Sequence, residues 1–160
     1  MDQLRLFELP HKYILDTSSL LTQKETEKHS KTVLVALWNE IGRSMREGKI
    51  VLCSEIYEEV RDECVRSWLS QHSCTVLEID ADVQKCVTRV VNERPDLIDI
   101  RRNRSSGDAF LIATALSKDL AIITEESKDS PKKIPQVSEQ FGIECMNVIE
   151  LCIKENWKFA

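Results

Sequence analysis

A chain of 160 residues, 42% hydrophobic and 31% charged, is long enough to bury a core within one domain and too polar for a membrane bundle. Four Gly and four Pro leave little room for long linkers, so residues 1–160 are expected to form a single domain. The formal net charge of −5 argues against nucleic-acid binding by bulk attraction, unless basic groups gather on one face or the acids themselves hold metal ions.

The opening "MDQLRLFELPHKY" lacks a basic n-region followed by an apolar h-region. No apolar run approaches the roughly 20 residues of a membrane helix, so a cytoplasmic protein is expected. None of the six cysteines forms a CxxC pair, and none of the three histidines sits beside a cysteine pair. They read as free thiols, with Cys53 and Cys145 in buried stretches, rather than as disulfides or a zinc site.

In chain order, "KYILD" (12–16) reads as a short buried strand ending in an acid. Apolar residues at 33, 34, 37, 41 and 45 predict a helix over 32–47, with Gly48 as its stop. "KIVLCS" (49–54) is a second strand, and Ser54 is the expected cap of a helix over about 55–70. "CTVLEI" (74–79) is a third strand. A helix over 80–94 follows, with acid at its start, Arg94 at its end and Pro95 beyond. "SSGDAFLIATALSKD" (105–119) predicts another helix, capped by Ser105 or Ser106. "LAIITEE" (120–126) is a fourth strand. A helix near 135–141, a strand over 143–146 and a last helix complete the chain, while 22–31 and 127–133 carry the weakest signals. The three Trp lie in helical contexts and are expected in the core or an interface rather than stacked on bases. Strands alternating with helices argue an α/β fold, with a central parallel sheet of four to five strands and helices on both faces.

In such a sheet the functional crevice lies beyond the carboxyl ends of the strands. Four groups of acids fall at that edge. Asp16 ends the first strand, Glu58 and Glu59 follow the second, Asp108 opens the helix over 105–119, and Glu125 and Glu126 end the fourth. Taken singly, each has an ordinary explanation as a turn cap, a dipole-favoured residue or a solvated helix face. Together they would repel, and a hard divalent cation bound through oxygen is what offsets that repulsion. Ser18, Ser19 and Thr124 stand beside them to orient the acids or bind the same waters. No Walker loop or GxGxxG competes.

The segments "YILDTSSLL", "SEIYEEV", "GDAFLIATA" and "IITEE", in this order, together resemble the PIN domain, the metal-dependent nuclease fold of VapC-type toxins. The tail "KIPQVSEQFGIECMNVIELCIKENWKF" is similar to a DUF4411-type, PIN-like subgroup. The resemblance implies a Mg²⁺- or Mn²⁺-dependent endoribonuclease, with one or two ions held by Asp16, Glu59, Asp108 and Glu126, supported by Ser18 and Thr124. It selects Glu59 over Glu58 and Glu126 over Glu125 by alignment alone. The last acid departs from the family's usual Asp, and its carboxylate reaches one methylene further. Two basic groups flank the acids as candidates for the RNA backbone: Arg101, Arg102 and Arg104 before Asp108, and the stretch from Lys128 after Glu126. The resemblance further implies a homodimer blocked by an antitoxin protein. Two other readings stand beside it. One is a PIN-like binding module without catalysis. The other is a receiver-like domain, which would need a phosphorylatable Asp where the third strand ends in "LEID".

Overall fold

A computed structural model describes residues 11–98 and 107–159. Strand β1 (Tyr13–Leu15) leads into a one-turn helix α1 (Thr17–Leu20) and a 3₁₀ turn (Leu21–Gln23). Then follow α2 (Val35–Arg46), β2 (Ile50–Cys53), α3 (Ser54–Glu59), α4 (Glu63–Gln71), β3 (Val76–Leu77) and α5 (Ala81–Glu93). A second 3₁₀ turn (Pro95–Leu97) precedes α6 (Gly107–Lys118), β4 (Ala121–Ile123), α7 (Ile134–Gln140), β5 (Cys145–Met146) and α8 (Val148–Glu155). The five strands are all parallel, in the order β3-β2-β1-β4-β5, so the expected α/β architecture holds.

The central strands carry uninterrupted apolar runs because both their faces are covered: β1, β2 and β4 are buried at every residue. Strand β1 pairs with β2 on one side and β4 on the other. From β1 the chain winds outward one way to β2 and β3, and later the other way to β4 and β5. Right-handed crossovers then put helices on both faces of the sheet. Helix α6 is apolar almost all round, which suits its packing between α5 and the sheet. Trp38 and Trp68 meet edge to face, 5.5 Å between centroids, both in the core.

Local signals end most elements where expected. Asp80 caps α5 by accepting from the Val83 amide at 2.9 Å. Asn147 and Glu150 form a capping box at the start of α8.

Several expectations need correction. The single helix over 55–70 is two, broken at Val60–Asp62, because Asp62 caps α4 through the Val65 amide. Ser54 is therefore the first residue of α3 rather than its cap. Helix α2 starts at Val35, and Val33 and Leu34 are exposed. The stretch 22–31 is held by side-chain hydrogen bonds, one local and one from α2. Thr22 donates to the Ser19 carbonyl at 2.6 Å, and the Trp38 indole donates to the His29 carbonyl. All six cysteines are free, with Cys53 buried and Cys145 half-buried. The proposed caps Ser105 and Ser106 lie outside the described residues. No helix among the described residues is long and apolar enough to cross a membrane.

Candidate active site

The strand order reverses between β1 and β4, and at that switch point an open α/β sheet leaves a crevice at its carboxyl edge. Asp16 follows β1 there, and Thr124 follows β4. Both are buried: Asp16 is 4% exposed and Thr124 2%. Asp16 sits there because its backbone stays extended, donating its amide to the Ile123 carbonyl, while its own carbonyl accepts the first bonds of α1. The carboxylate is thereby held rigidly at the end of a core strand.

Two hydroxyls converge on one oxygen of that carboxylate. Ser18 Oγ donates to Asp16 Oδ2 at 2.7 Å and Thr124 Oγ1 at 2.8 Å. The same hydroxyl oxygens accept backbone amides from the next loop, Glu125 to Ser18 at 3.0 Å and Glu126 to Thr124 at 3.2 Å. Burial pushes the Asp16 carboxyl above its ordinary value, the two hydroxyls oppose this, and the Glu126 charge adds to the rise.

The other acids are distributed around this centre. Glu58 is exposed, whereas Glu59 is half-buried and accepts from the Thr17 hydroxyl at 3.1 Å. Its carboxylate also lies against Gly107, where a Cβ would sit 1.9 Å from Glu59 Oε1. That close approach explains a Gly at the position before Asp108. Asp108 is half-buried in the first turn of α6. The chain thus links Asp16, Glu59 and Asp108 through Thr17 and Gly107.

The two glutamates after β4 have different surroundings. Glu126 faces Asp16 electrostatically and accepts the Ile134 amide at 3.1 Å, with Lys133 at 4.0 Å. Glu125 is tied instead to Lys28 at 2.7 Å and the Val148 amide at 2.9 Å, and its side chain is only 8% exposed. Asp80, the acid a receiver-like reading needs, caps α5 and pairs with Lys118, away from the switch point.

Among the described residues, no three His, Cys, Asp or Glu side chains form a ready-made ion cage. The donor chemistry does fit a hard cation. All the donors are oxygens, and the central carboxylate is desolvated with a second acid set against it. Glu59 and Glu126 each spend an oxygen on a hydrogen bond, from the Thr17 hydroxyl and the Ile134 amide.

Of the basic candidates, Lys128 is exposed and pairs with Glu150 at 2.7 Å. Arg101, Arg102 and Arg104 lie outside the described residues. Lys28 is a cation at the site with no local sequence signal, because its partner Glu125 is remote along the chain. A cleft of about 440 Å³ opens beside Thr124 and Glu126 and runs toward β5. A larger cavity, about 570 Å³, lies at the opposite sheet edge, where Tyr13 donates to Glu155 and Lys154 pairs with Glu144.

Comparison with solved structures supports the fold. PAE2754 from Pyrobaculum aerophilum aligns with a TM-score of 0.51 at 19% identity, covering 92% of this chain and 91% of that one. VapBC2 from Rickettsia felis, solved bound to a DNA fragment from their promoter, aligns with a TM-score of 0.54 at 16% identity. That alignment covers 84% of this chain and 97% of the other. At such identities the likeness is one of fold, and the fold is PIN-like. No curated protein matches the sequence. The family described as "Domain of unknown function (DUF4411)" matches residues 13–159, nearly the whole chain. The protein belongs to the DUF4411 family, with a PIN-like fold.

Proposed function

We propose that this protein is a divalent-metal-dependent endoribonuclease, the toxin of a type II toxin–antitoxin pair acting in the cytoplasm. The observation that carries the reading is the desolvated Asp16 carboxylate at the switch point, with the Glu126 charge set against it. Such a pair is costly unless a cation joins it.

In this reading Asp16 and Asp108 are the central ligands of one or two Mg²⁺ or Mn²⁺ ions, and Glu59 and Glu126 complete the set directly or through water. A bound ion supplies charge for the scissile phosphate and its leaving oxygen, and it acidifies water. The chain's own groups do the positioning. Ser18 and Thr124 hold the Asp16 carboxylate in place by donating to one of its oxygens. Thr17 steadies Glu59, and the Ile134 amide steadies Glu126. Arg101, Arg102, Arg104 and Lys128 bind phosphates along the RNA strand, with affinity that falls as salt rises. The likeness to VapBC2 supports an antitoxin partner. A homodimer is the assembly that the resemblance to VapC-type toxins implies.

The test is incubation with labelled RNA and Mg²⁺ or Mn²⁺, beside Asp16→Asn and Asp108→Asn. Cleavage by the wild type alone is expected. Equal cleavage by all three overturns the assignment. One observation favours a second reading, a PIN-like binding module without catalysis: no three acids converge among the described residues. Calorimetric titration with Mn²⁺ separates the two, because a pure binding module takes up no ion.

A further inference from the structure

Glu125 is a buried acid that the metal reading leaves without a task. Its side chain is only 8% exposed, and its backbone lies one hydroxyl away from Asp16 and one residue from Glu126. A third acid there adds to their repulsion. Both of its oxygens are taken by groups remote along the chain. Lys28 pairs with Oε1 at 2.7 Å, and the Val148 amide, at the start of α8, donates to Oε2 at 2.9 Å. The Ser19 hydroxyl approaches Oε2 at 3.5 Å. The loop before α2, helix α1 and helix α8 thus grip one side chain.

The backbone of the same residue reaches the site. The Glu125 amide donates to Ser18 Oγ at 3.0 Å, and Ser18 Oγ donates to Asp16 Oδ2 at 2.7 Å. A hydroxyl has one proton and two lone pairs. The amide fills a lone pair of Ser18, which seats the hydroxyl with its one proton toward Asp16. It can do so only while residue 125 stays in place, and the grip on the side chain keeps it there. Glu126 repeats the arrangement through Thr124, on the same stretch of backbone.

We propose that Glu125 is a positioning residue of the metal site and not one of its ligands. Clamped between Lys28 and the start of α8, its carboxylate holds the Glu125 amide on Ser18, and through Ser18 the carboxylate of Asp16. This inference rests on the nuclease reading for its metal ion, but the clamp has a test that needs no ion.

Two conservative variants separate reach from charge. Glu125→Gln keeps the length and an acceptor for the Val148 amide but loses the charge. Glu125→Asp keeps the charge but falls one methylene short. The experiment is calorimetric titration with Mn²⁺, with melting curves to check folding. Glu125→Asp is expected to bind the ion about tenfold more weakly, as the loss of a group that orients a ligand does, and Glu125→Gln to stay within about threefold of the wild type. A weak Gln variant beside an unchanged Asp variant means that the charge acts through space, and it overturns the clamp. Equal affinities in the two variants overturn it as well. On a Ser18→Ala background, Glu125→Asp should weaken binding no further, because the amide has no hydroxyl to seat; additive effects count against the clamp. Hydrogen exchange in the metal-free proteins supplies the test without the ion. The Glu125 amide should exchange about tenfold faster in Glu125→Asp than in the wild type, with the β1 amides unchanged. An unchanged rate at Glu125 overturns the clamp. A wild type that takes up no Mn²⁺ removes the nuclease reading, and the exchange rates then decide the clamp alone. Mn²⁺ uptake indifferent to both variants removes the clamp and leaves the nuclease.

Discussion

Thr124 Oγ1 donates to Asp16 Oδ2 across 2.8 Å, a bond that joins the end of β4 to the end of β1 at the point where the sheet changes direction. Thr124→Val keeps the shape and removes the donor. The buried carboxylate then loses one of its two hydroxyl partners, which costs about 1–3 kcal/mol. Urea unfolding should show that loss, and Thr124→Ser should recover most of it. A Val variant as stable as the wild type would show that Ser18 alone suffices.

The Gly107–Glu59 contact predicts a coupled pair. In Gly107→Ala the new methyl would lie 1.9 Å from Glu59 Oε1, so the glutamate must leave its place beside Thr17. A flexible side chain can move, and the stability cost should stay near 1 kcal/mol, while RNA cleavage falls at least tenfold. Glu59→Ala removes the obstacle. Gly107→Ala added to Glu59→Ala should therefore cost almost nothing more in stability, a non-additivity that a double-mutant cycle measures directly. Additive effects would mean that the two residues do not touch in solution.

The acids could be found from sequence because each stands at a strand end or helix start, where periodicity breaks into polar residues. Asp16 is the clearest case, a carboxylate at the end of a buried apolar run. Sequence alone could not choose between Glu125 and Glu126, since the strand signal fades through both. Structure separates them by their partners, Lys28 and the Val148 amide for one, the Asp16 field and the Ile134 amide for the other. Lys28 itself was hidden in "KETEKHS", a stretch whose polarity suggests solvated loop. The His29 carbonyl beside it is held by the Trp38 indole, a bond that no local pattern announces. The break between α3 and α4 escaped because Val60 continues the apolar spacing across it, although Asp62 was an available cap signal.

Metal binding should stabilise the folded chain, because the unfolded chain has no assembled site. At a Mn²⁺ concentration 100 times its Kd the gain is about 2.7 kcal/mol. Thermal melts with and without Mn²⁺ should show the shift for the wild type and none for Asp16→Asn. The metal-free proteins carry a second signature. Burial holds the Asp16 carboxyl above its ordinary 3.8, so the folded state keeps that proton more tightly than the unfolded state. Stability contributed by this group therefore declines as pH rises from 3.8 through the raised folded value. Asp16→Asn should flatten that part of the curve and leave the metal-free protein at least as stable as the wild type at neutral pH.

Glu155 gives the opposite sign at the far edge of the sheet. Burial pushes its carboxyl up, but hydrogen bonds from Lys49 and Tyr13 outweigh this and hold it below its ordinary 4.5. A carboxyl depressed by folding stabilises the protein above its unfolded value, and that stability is lost as pH falls through the folded one. Urea unfolding should therefore weaken steadily as pH drops below 4.5, and Glu155→Gln should remove this component of the slope. The variant should also be less stable at neutral pH, since Lys49 loses its charged partner. Cleavage by Glu155→Gln under folding conditions should match the wild type, because the residue stands at the opposite edge from Asp16. A steeper acid slope in the variant would place the acid-sensitive group elsewhere.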